Sequence, residues 1–276
     1  MSEEFVCGAL FSKPDVRDYT AYTKLSDFPA EFELDMPKVK SQGSVSSCVA
    51  HALSTIVEYF NEKETGTYEE MSTGYIYGNR RLTLYKGKGM VTREAIGTVA
   101  KYGDVPSSYF PVNVEVPYAI EMFESEVDKI ESAGYHFKFA EYFRLKDELA
   151  IKTSIMENGP AAFSMYWFDD IKVKDGIMQT KCVKTKKTGA HCMVIYGWNE
   201  IGWKVQNSWG GLWGDGGNVV IPYDVPFEEV WGIKDADAIG NLMLKKPFKT
   251  KTGEKIAKFL NFIISLVYNI SHKTQK

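Results

Sequence analysis

The chain has 276 residues, of which 25% are charged, 44% hydrophobic and 14% aromatic. These proportions are typical of a globular protein with one or two domains, and they exclude a wholly disordered, collagen-like or multi-span membrane protein. The formal net charge is −3, so the whole chain is a poor candidate for nucleic-acid binding and no nucleic-acid partner is expected.

The first half of the chain is predicted to be mostly helical. Apolar residues follow Cys48 at spacings of three and four, as in the run Val49, Leu53, Ile56 and Phe60. Further helices are predicted over 71–80, 92–102, 117–134 and 146–158, and the last three are bounded by residues that cap or interrupt helices.

The second half has the residue pattern of β-strands. Short runs rich in β-branched and aromatic residues are divided by Gly and Asp, and they begin at 161, 190, 201 and 216. Because helices and strands are segregated along the chain, the pattern predicts an α+β protein, with two subdomains and a cleft between them as one arrangement.

The C-terminal segment over 241–276 differs from the rest in charge. Residues 245–276 contain eight Lys and one acid, Glu254. A helix predicted over 254–271 is apolar except for one narrow polar stripe, so it needs a partner surface. We expect this basic amphipathic tail to pack on the body or to contact an anionic membrane surface; a solvated end is the simpler alternative.

Four residues have the chemistry of a nucleophilic site. Cys48 follows a turn rich in Gly and Ser and begins a helix, where the positive end of the helix dipole lowers a thiol pKa. His191 begins a strand and Asn207 ends the next one, so the amide oxygen can orient the imidazole. The side-chain N–H of Gln42 and the backbone N–H of Cys48 can stabilise an oxyanion.

These segments resemble the papain and cathepsin family of cysteine peptidases. The resemblance rests on QGSVSSCVAHA (42–52), on AHCMVIYGW (190–198) and on NSWGGLWGDGG (207–217), and weaker similarity extends it over 27–222. It implies a papain-like fold with two lobes and the active-site cleft between them. The helical lobe with the nucleophile would cover 36–140, and the strand-rich, barrel-like lobe with the His and Asn would cover 141–240.

The resemblance also implies an activity and a set of substrate contacts. It implies a thiol protease that cleaves peptide bonds in peptide or protein substrates, most simply as an endopeptidase, without metal or cofactor. Trp209 would shield the contact between the catalytic His and Asn. The residues implied to line the substrate subsites are Gly89, Met90, Ala162 and Ala190.

Departures from the family pattern bear on where the protein acts. Val45 and Val49 replace a structural Cys and a Trp beside the nucleophile, which suits an intracellular microbial or viral member related to cathepsin B. No secretory signal and no run of about 18 apolar residues is visible. A cytoplasmic or virion-packaged protein is therefore expected. The N-terminal segment, 1–35, is interpreted as an edge strand or as a short pro-segment over the cleft.

Two further features and two rival functions stay open. His51, one helical turn after Cys48, is interpreted as a buried hydrogen-bonded residue rather than a catalytic one. The basic stretch Lys181–Lys187 is either a solvated hairpin tip or a positive rim that binds acidic substrate residues or an anionic regulator. The rival functions are an inactive papain-like binding scaffold and a Cys–His amidase acting on cell-wall peptides.

Overall fold

The computed structural model describes residues 6–16, 18, 20, 27–130, 133–134, 137–179 and 187–235, with only the backbone at 187 and 188. The predicted tail, 241–276, lies outside the described residues, and so does the basic stretch from 181 to 186. The expected membrane contact and anionic regulator site therefore stay predictions. Within the described ranges, no helix combines the length and apolar character that crossing a bilayer requires.

All five predicted helices that fall on described residues are present. They are α1 (Cys48–Thr65), α2 (Thr73–Gly78), α3 (Thr92–Tyr102), α4 (Tyr118–Ile130) and α5 (Glu148–Asn158). Helix α2 is shorter than predicted because the Ser72 side chain accepts a hydrogen bond from the Tyr75 N–H and Asn79 is already extended.

Helix α1 is the centre of the helical half. Every residue from Cys48 to Phe60 is buried, so this part of the helix is enclosed on all sides. It ends at Gly66, whose φ of 70° is the left-handed conformation that glycine adopts without strain. Burial around the whole helix fixes the position of its first residue, Cys48.

The described strands belong to one mostly antiparallel sheet. The strands, in chain order, are β1 (Ala9–Leu10), β2 (Phe32–Glu33), β3 (Met90–Val91), β4 (Phe139–Arg144), β5 (Ala161–Phe168), β6 (Val173–Lys174), β7 (Ile177–Met178), β8 (Lys187–Trp198), β9 (Gly202–Gln206), β10 (Asn218–Pro222) and β11 (Glu229–Asp235). The main order is β4-β11-β5-β8-β9-β10-β7-β6, and β8 also pairs with β1 and β2.

Two large cores correspond to the helical and strand-rich halves. One core surrounds α1 and includes Cys192 and Val194 from one face of β8. The other contains alternate residues of β8, Met193 and Ile195, with the apolar residues of β5, β9 and β10. Strand β8 therefore lies between the halves, as the predicted α+β arrangement requires, and its residues reach both sides.

Candidate active site

Cys48 is the first residue of α1 and is completely buried. Backbone N–H groups of Cys192, Gly8 and Val49 are directed at its thiol and lower its pKa. Cys192 follows His191 directly on β8, so the thiol lies against the strand that carries the predicted base. Helix α1 thus places the predicted nucleophile beside Cys192, the neighbour of the predicted base on β8.

His191 and Asn207 form the predicted side-chain pair. The distance from His191 Nε2 to Asn207 Oδ1 is 2.7 Å, and both residues are buried. Asn207 Oδ1 also accepts a hydrogen bond from the Ser208 N–H at 2.7 Å. With Nε2 bound to the amide oxygen, the other ring nitrogen, Nδ1, makes no hydrogen bond within the described residues. Nδ1 is therefore the ring nitrogen that is left for a further contact.

Three tryptophans shield this pair from water. Trp209 stacks on the His191 ring at a centroid distance of 4.4 Å and an interplanar angle of 21°. Trp167 meets the same ring edge-on at 5.6 Å, and Trp213 packs against both tryptophans. A hydrogen bond in such low-polarity surroundings is stronger than one exposed to water.

Gln42 is fixed by the loop that contains Asn207. Its Oε1 accepts a hydrogen bond from the Ser208 hydroxyl at 2.6 Å, and its backbone N–H donates to the Ser208 carbonyl at 2.8 Å. These contacts orient the side-chain amide, whose N–H groups donate to the carbonyls of Val45 at 2.8 Å and of Val6 at 2.9 Å.

The cleft is filled by the chain's own N-terminal residues, and we call residues 6–12 the cleft segment. Strand β1 of this segment pairs with Met90 of β3 on one side and with Ala190 of β8 on the other. The Met90 N–H donates to the Gly8 carbonyl at 2.8 Å. A Cβ on Gly8 would lie 2.0 Å from the Ser46 carbonyl oxygen, so only glycine fits there.

The far end of the cleft segment is anchored by charged residues. The Ser12 N–H donates to the Glu229 carboxylate at 3.3–3.4 Å, and its hydroxyl accepts the Arg93 N–H at 3.0 Å. The Arg93 guanidinium pairs with Asp15 at 3.3 Å and with Asp18. The chain therefore crosses the cleft and is held on both sides of Cys48.

Burial sets the protonation states of Cys48 and His191 in this covered form. Burial raises the pKa of Cys48 to about 12, and the nearby Cys7 thiol acts in the same direction. Burial lowers the pKa of His191 to about 4, against the hydrogen bond to Asn207, which raises it. The lowered thiol pKa expected from the helix dipole is not found, because desolvation outweighs the dipole. Both groups are neutral at pH 7.

The predicted subsite residues occupy different surroundings. Met90 and Ala190 flank β1, and a Cβ on Gly89 would meet the Gly8 carbonyl oxygen at 2.4 Å, so these three residues border the cleft segment. Ala162 is fully buried in the core around α1, paired with Val194 and Trp231, and no described contact joins it to the cleft segment.

His51 is hydrogen-bonded and buried, in agreement with its interpretation from the sequence. Its Nδ1 lies 3.2 Å from the Ser47 hydroxyl and 3.1 Å from the Ser47 carbonyl. Burial, together with the Lys40 charge, lowers its pKa to about 3. Among the residues that the structure describes, no group of three or more His, Cys, Asp or Glu side chains could hold a metal ion.

Sequence reasoning missed the partners that come from distant parts of the chain. Ser208 lies inside the recognised NSWG motif, so it could have been predicted as the hydrogen-bond partner of Gln42. The contact between Ser12 and Glu229 joins residues 217 positions apart, and no local pattern signals it.

Comparison with known proteins identifies the family. The profile described as "Papain family cysteine protease" matches residues 28–236. The chain belongs to the papain family of cysteine proteases. It is therefore a hydrolase that acts on peptide or protein substrates, and the predicted family is confirmed.

Relatives and solved structures agree with this assignment. An uncharacterised peptidase C1-like protein of Acanthamoeba polyphaga mimivirus is 27% identical over 258 residues, which cover 80% of this chain and 83% of that protein. Xylellain, a cysteine protease from Xylella fastidiosa, has a TM-score of 0.72 at 20% identity and covers 83% of this chain and 96% of its own. A procathepsin B from Trypanosoma congolense has a TM-score of 0.66 at 16% identity, and the match covers 82% of this chain and 85% of that one. The structural similarities confirm the papain-like fold.

Proposed function

We propose that this papain-family protease is an endopeptidase whose catalytic residues are Cys48, His191 and Asn207, with Gln42 in the oxyanion hole. The observation that carries the proposal is the 2.7 Å contact between His191 Nε2 and Asn207 Oδ1, on the strand whose next residue directs its N–H at the Cys48 thiol. This contact leaves Nδ1 to exchange a proton with the thiol.

The proposed reaction has two steps. His191 Nδ1 takes the thiol proton, and the Cys48 sulfur attacks the carbonyl carbon of the substrate. The imidazolium then protonates the departing amine, and the bond between carbon and nitrogen breaks. In the second step His191 removes a proton from water, and the hydroxide attacks the thioester carbon. The bond between carbon and sulfur breaks, the acid product leaves, and the proton returns from His191 to the Cys48 sulfur.

Gln42 supplies the stabilisation of the oxyanion in this proposal. Its side-chain N–H already donates to a peptide carbonyl, that of Val6, at 2.9 Å. The Ser208 contacts hold the amide in place before a substrate arrives, so little reorganisation is needed. The backbone N–H of Cys48 is the second proposed donor.

The path of the cleft segment supports endopeptidase action in a latent enzyme. Main chain continues past Cys48 in both directions, from Val6 at the Gln42 side chain to Ser12 at Glu229. A polypeptide can therefore cross the site without ending in it. The same segment covers the nucleophile, so we assign the N-terminal residues the role of a pro-segment rather than an edge strand.

Hydrolysis of a doubly blocked peptide tests the proposal. The full-length chain and its Gly8→Val variant, designed to displace the cleft segment, are compared on an internally quenched peptide with both termini blocked. We expect cleavage by Gly8→Val and none by Gly8→Val with Cys48→Ala. Cleavage of peptides with free termini only would remove the endopeptidase assignment. No cleavage of any peptide by folded Gly8→Val would remove the catalytic assignment.

A further inference from the structure

A buried histidine lies beside the loop that contains Gln42. We call residues 41–47 the oxyanion loop, because they hold the proposed oxyanion donor Gln42 and lead directly into α1 at Cys48. His51 is one turn into the same helix and is only 1% exposed. The oxyanion loop contains no cysteine, so hydrogen bonds and packing must fix its shape. The catalytic steps proposed above give His51 no role.

Ser47 connects one end of the oxyanion loop to His51. Ser47 is the N-cap residue of α1, yet its side chain makes no capping hydrogen bond within the described part of the chain. A serine at this position usually accepts a hydrogen bond from the first turn of the helix. Here the hydroxyl lies 3.2 Å from His51 Nδ1, and the Ser47 carbonyl lies 3.1 Å from the same nitrogen. The imidazole therefore contacts this end of the loop.

Asn113 holds the other end of the oxyanion loop. Its Nδ2 donates a hydrogen bond to the Ser41 carbonyl at 2.8 Å. Burial lowers the pKa of His51 to about 3, so the ring is neutral at pH 7. Hydrogen bonding to the Asn113 side chain and to the Ser41 backbone acts in the opposite direction, so both groups lie close to the ring. The imidazole thus lies between the two ends of the loop.

One carbonyl connects Ser47 to the amide of Gln42. The Val45 carbonyl accepts a hydrogen bond from the Ser47 N–H at 2.8 Å and another from Gln42 Nε2 at 2.8 Å. A shift of Ser47 therefore moves the carbonyl that holds the Gln42 amide. This gives His51 a path of direct contacts to the proposed oxyanion donor.

We propose that His51 is a positioning residue for the reaction, which through Ser47 keeps the oxyanion loop in the shape that aims the Gln42 amide at the oxyanion. This inference rests on the proposed function, because it concerns the role of Gln42. His51 takes no part in proton transfer and acts only through the loop. Misplacing a catalytic group by about 1 Å can lower a rate by about 10²-fold, so a loop that is held less firmly costs activity.

The test replaces His51 with Phe in the full-length Gly8→Val protein. Phe fills the place of the imidazole but forms no hydrogen bond with Ser47. On the internally quenched peptide with blocked termini, we expect kcat to fall by about 10- to 100-fold while KM stays within about twofold. Alkylation of Cys48 by iodoacetamide forms no oxyanion, so its rate should stay within about twofold. Thr55→Val, one turn further along α1, is the matched control and should keep kcat within about twofold.

A double-mutant cycle shows whether His51 acts through Gln42. When Gln42→Ala has already removed the amide, His51→Phe should lower kcat by less than about threefold further. Asn113→Gly is a second variant, since Asn113 is exposed and its φ of 53° suits glycine. Loss of its hydrogen bond to the Ser41 carbonyl should lower kcat by about two- to tenfold. Urea unfolding of the same samples shows whether each variant is folded, and Asn113→Gly decides the matter if His51→Phe is not.

Three results would overturn the inference: an unchanged kcat in folded His51→Phe or, if that variant is unfolded, in Asn113→Gly; equal losses of kcat and of Cys48 alkylation; or a His51→Phe loss that is fully retained in Gln42→Ala. If Gln42→Ala lowers kcat and the other two variants do not, only this inference is wrong. If Gln42→Ala leaves kcat unchanged, or if the Gly8→Val protein cleaves no peptide, the proposed function fails and this inference fails with it.

Discussion

Replacing Gly8 with Val is expected to weaken the binding of the cleft segment in the active site. A Cβ at this position would lie 2.0 Å from the Ser46 carbonyl oxygen and 2.5 Å from its carbon. Ser46 belongs to the turn that begins α1, and its main chain cannot retreat without moving Cys48. The segment must move instead, and the 2.8 Å hydrogen bond from the Met90 N–H to the Gly8 carbonyl is then lost.

The size of the effect follows from the contacts that hold the segment. At least four hydrogen bonds bind it, and at about 0.5–1.5 kcal/mol each these four contribute about 2–6 kcal/mol. Forcing a side chain into a filled space costs about 1–3 kcal/mol. Since 1.4 kcal/mol is about a factor of ten, the covered state of Gly8→Val should be about 5- to 150-fold less populated relative to the open state.

The rate of reaction of Cys48 with an epoxide inhibitor, followed by intact mass, measures that population. Val16→Ala is the control within the same N-terminal region, because the Val16 side chain is fully exposed. We expect the control to react as slowly as wild type and Gly8→Val to react about 5- to 150-fold faster. Equal rates for wild type and Gly8→Val would show that the segment does not protect the thiol.

Three other predictions follow from the buried polar groups. In the Gly8→Val background, Gln42→Ala should lower kcat for a blocked peptide by about 10²–10³-fold through loss of an oxyanion donor; a change below about threefold would exclude that role. Lys40→Met should lower the free energy of unfolding in urea by about 3–5 kcal/mol, because Glu58 is left charged and buried without its 2.8 Å partner; a loss under about 1 kcal/mol would refute this. The pKa of His51 is lowered from 6.5 to about 3. Between these pH values the unfolded chain binds a proton that the folded chain does not, so the protein becomes less stable as the pH decreases. From pH 7 to 5, wild type should therefore lose about 2 kcal/mol more than His51→Gln, and parallel losses in urea unfolding would contradict it.

Local sequence patterns were sufficient for the five helices, for the strands β5, β8, β9 and β10, and for the contact between His191 and Asn207. The apolar spacing after Cys48 predicts α1, and the run from 161 to 168 coincides with β5. His191 and Asn207 were found because each lies in a recognisable motif and adjacent antiparallel strands bring them together. In these cases the information lies within a few residues of the element or motif.

Long-range pairing accounts for what the sequence did not predict. Strands β4 and β11 were missed because Phe139–Arg144 and Glu229–Asp235 acquire their strand character by pairing with each other. The direction of the Cys48 pKa shift was wrong because burial raises this pKa, and the burial comes from tertiary packing that no local pattern reports. The contact between Glu229 and Ser12 was missed for the same reason, since these residues lie 217 positions apart.

The most direct test of the central claim, that Cys48 is the nucleophile of a covered active site, is peptide mapping of the epoxide adduct on the full-length Gly8→Val protein. A single adduct on Cys48 is predicted, lost in Cys48→Ala and slowed in His191→Ala. An adduct on Cys7 or Cys192 that persists in Cys48→Ala, or a folded protein that forms no adduct, would contradict the claim.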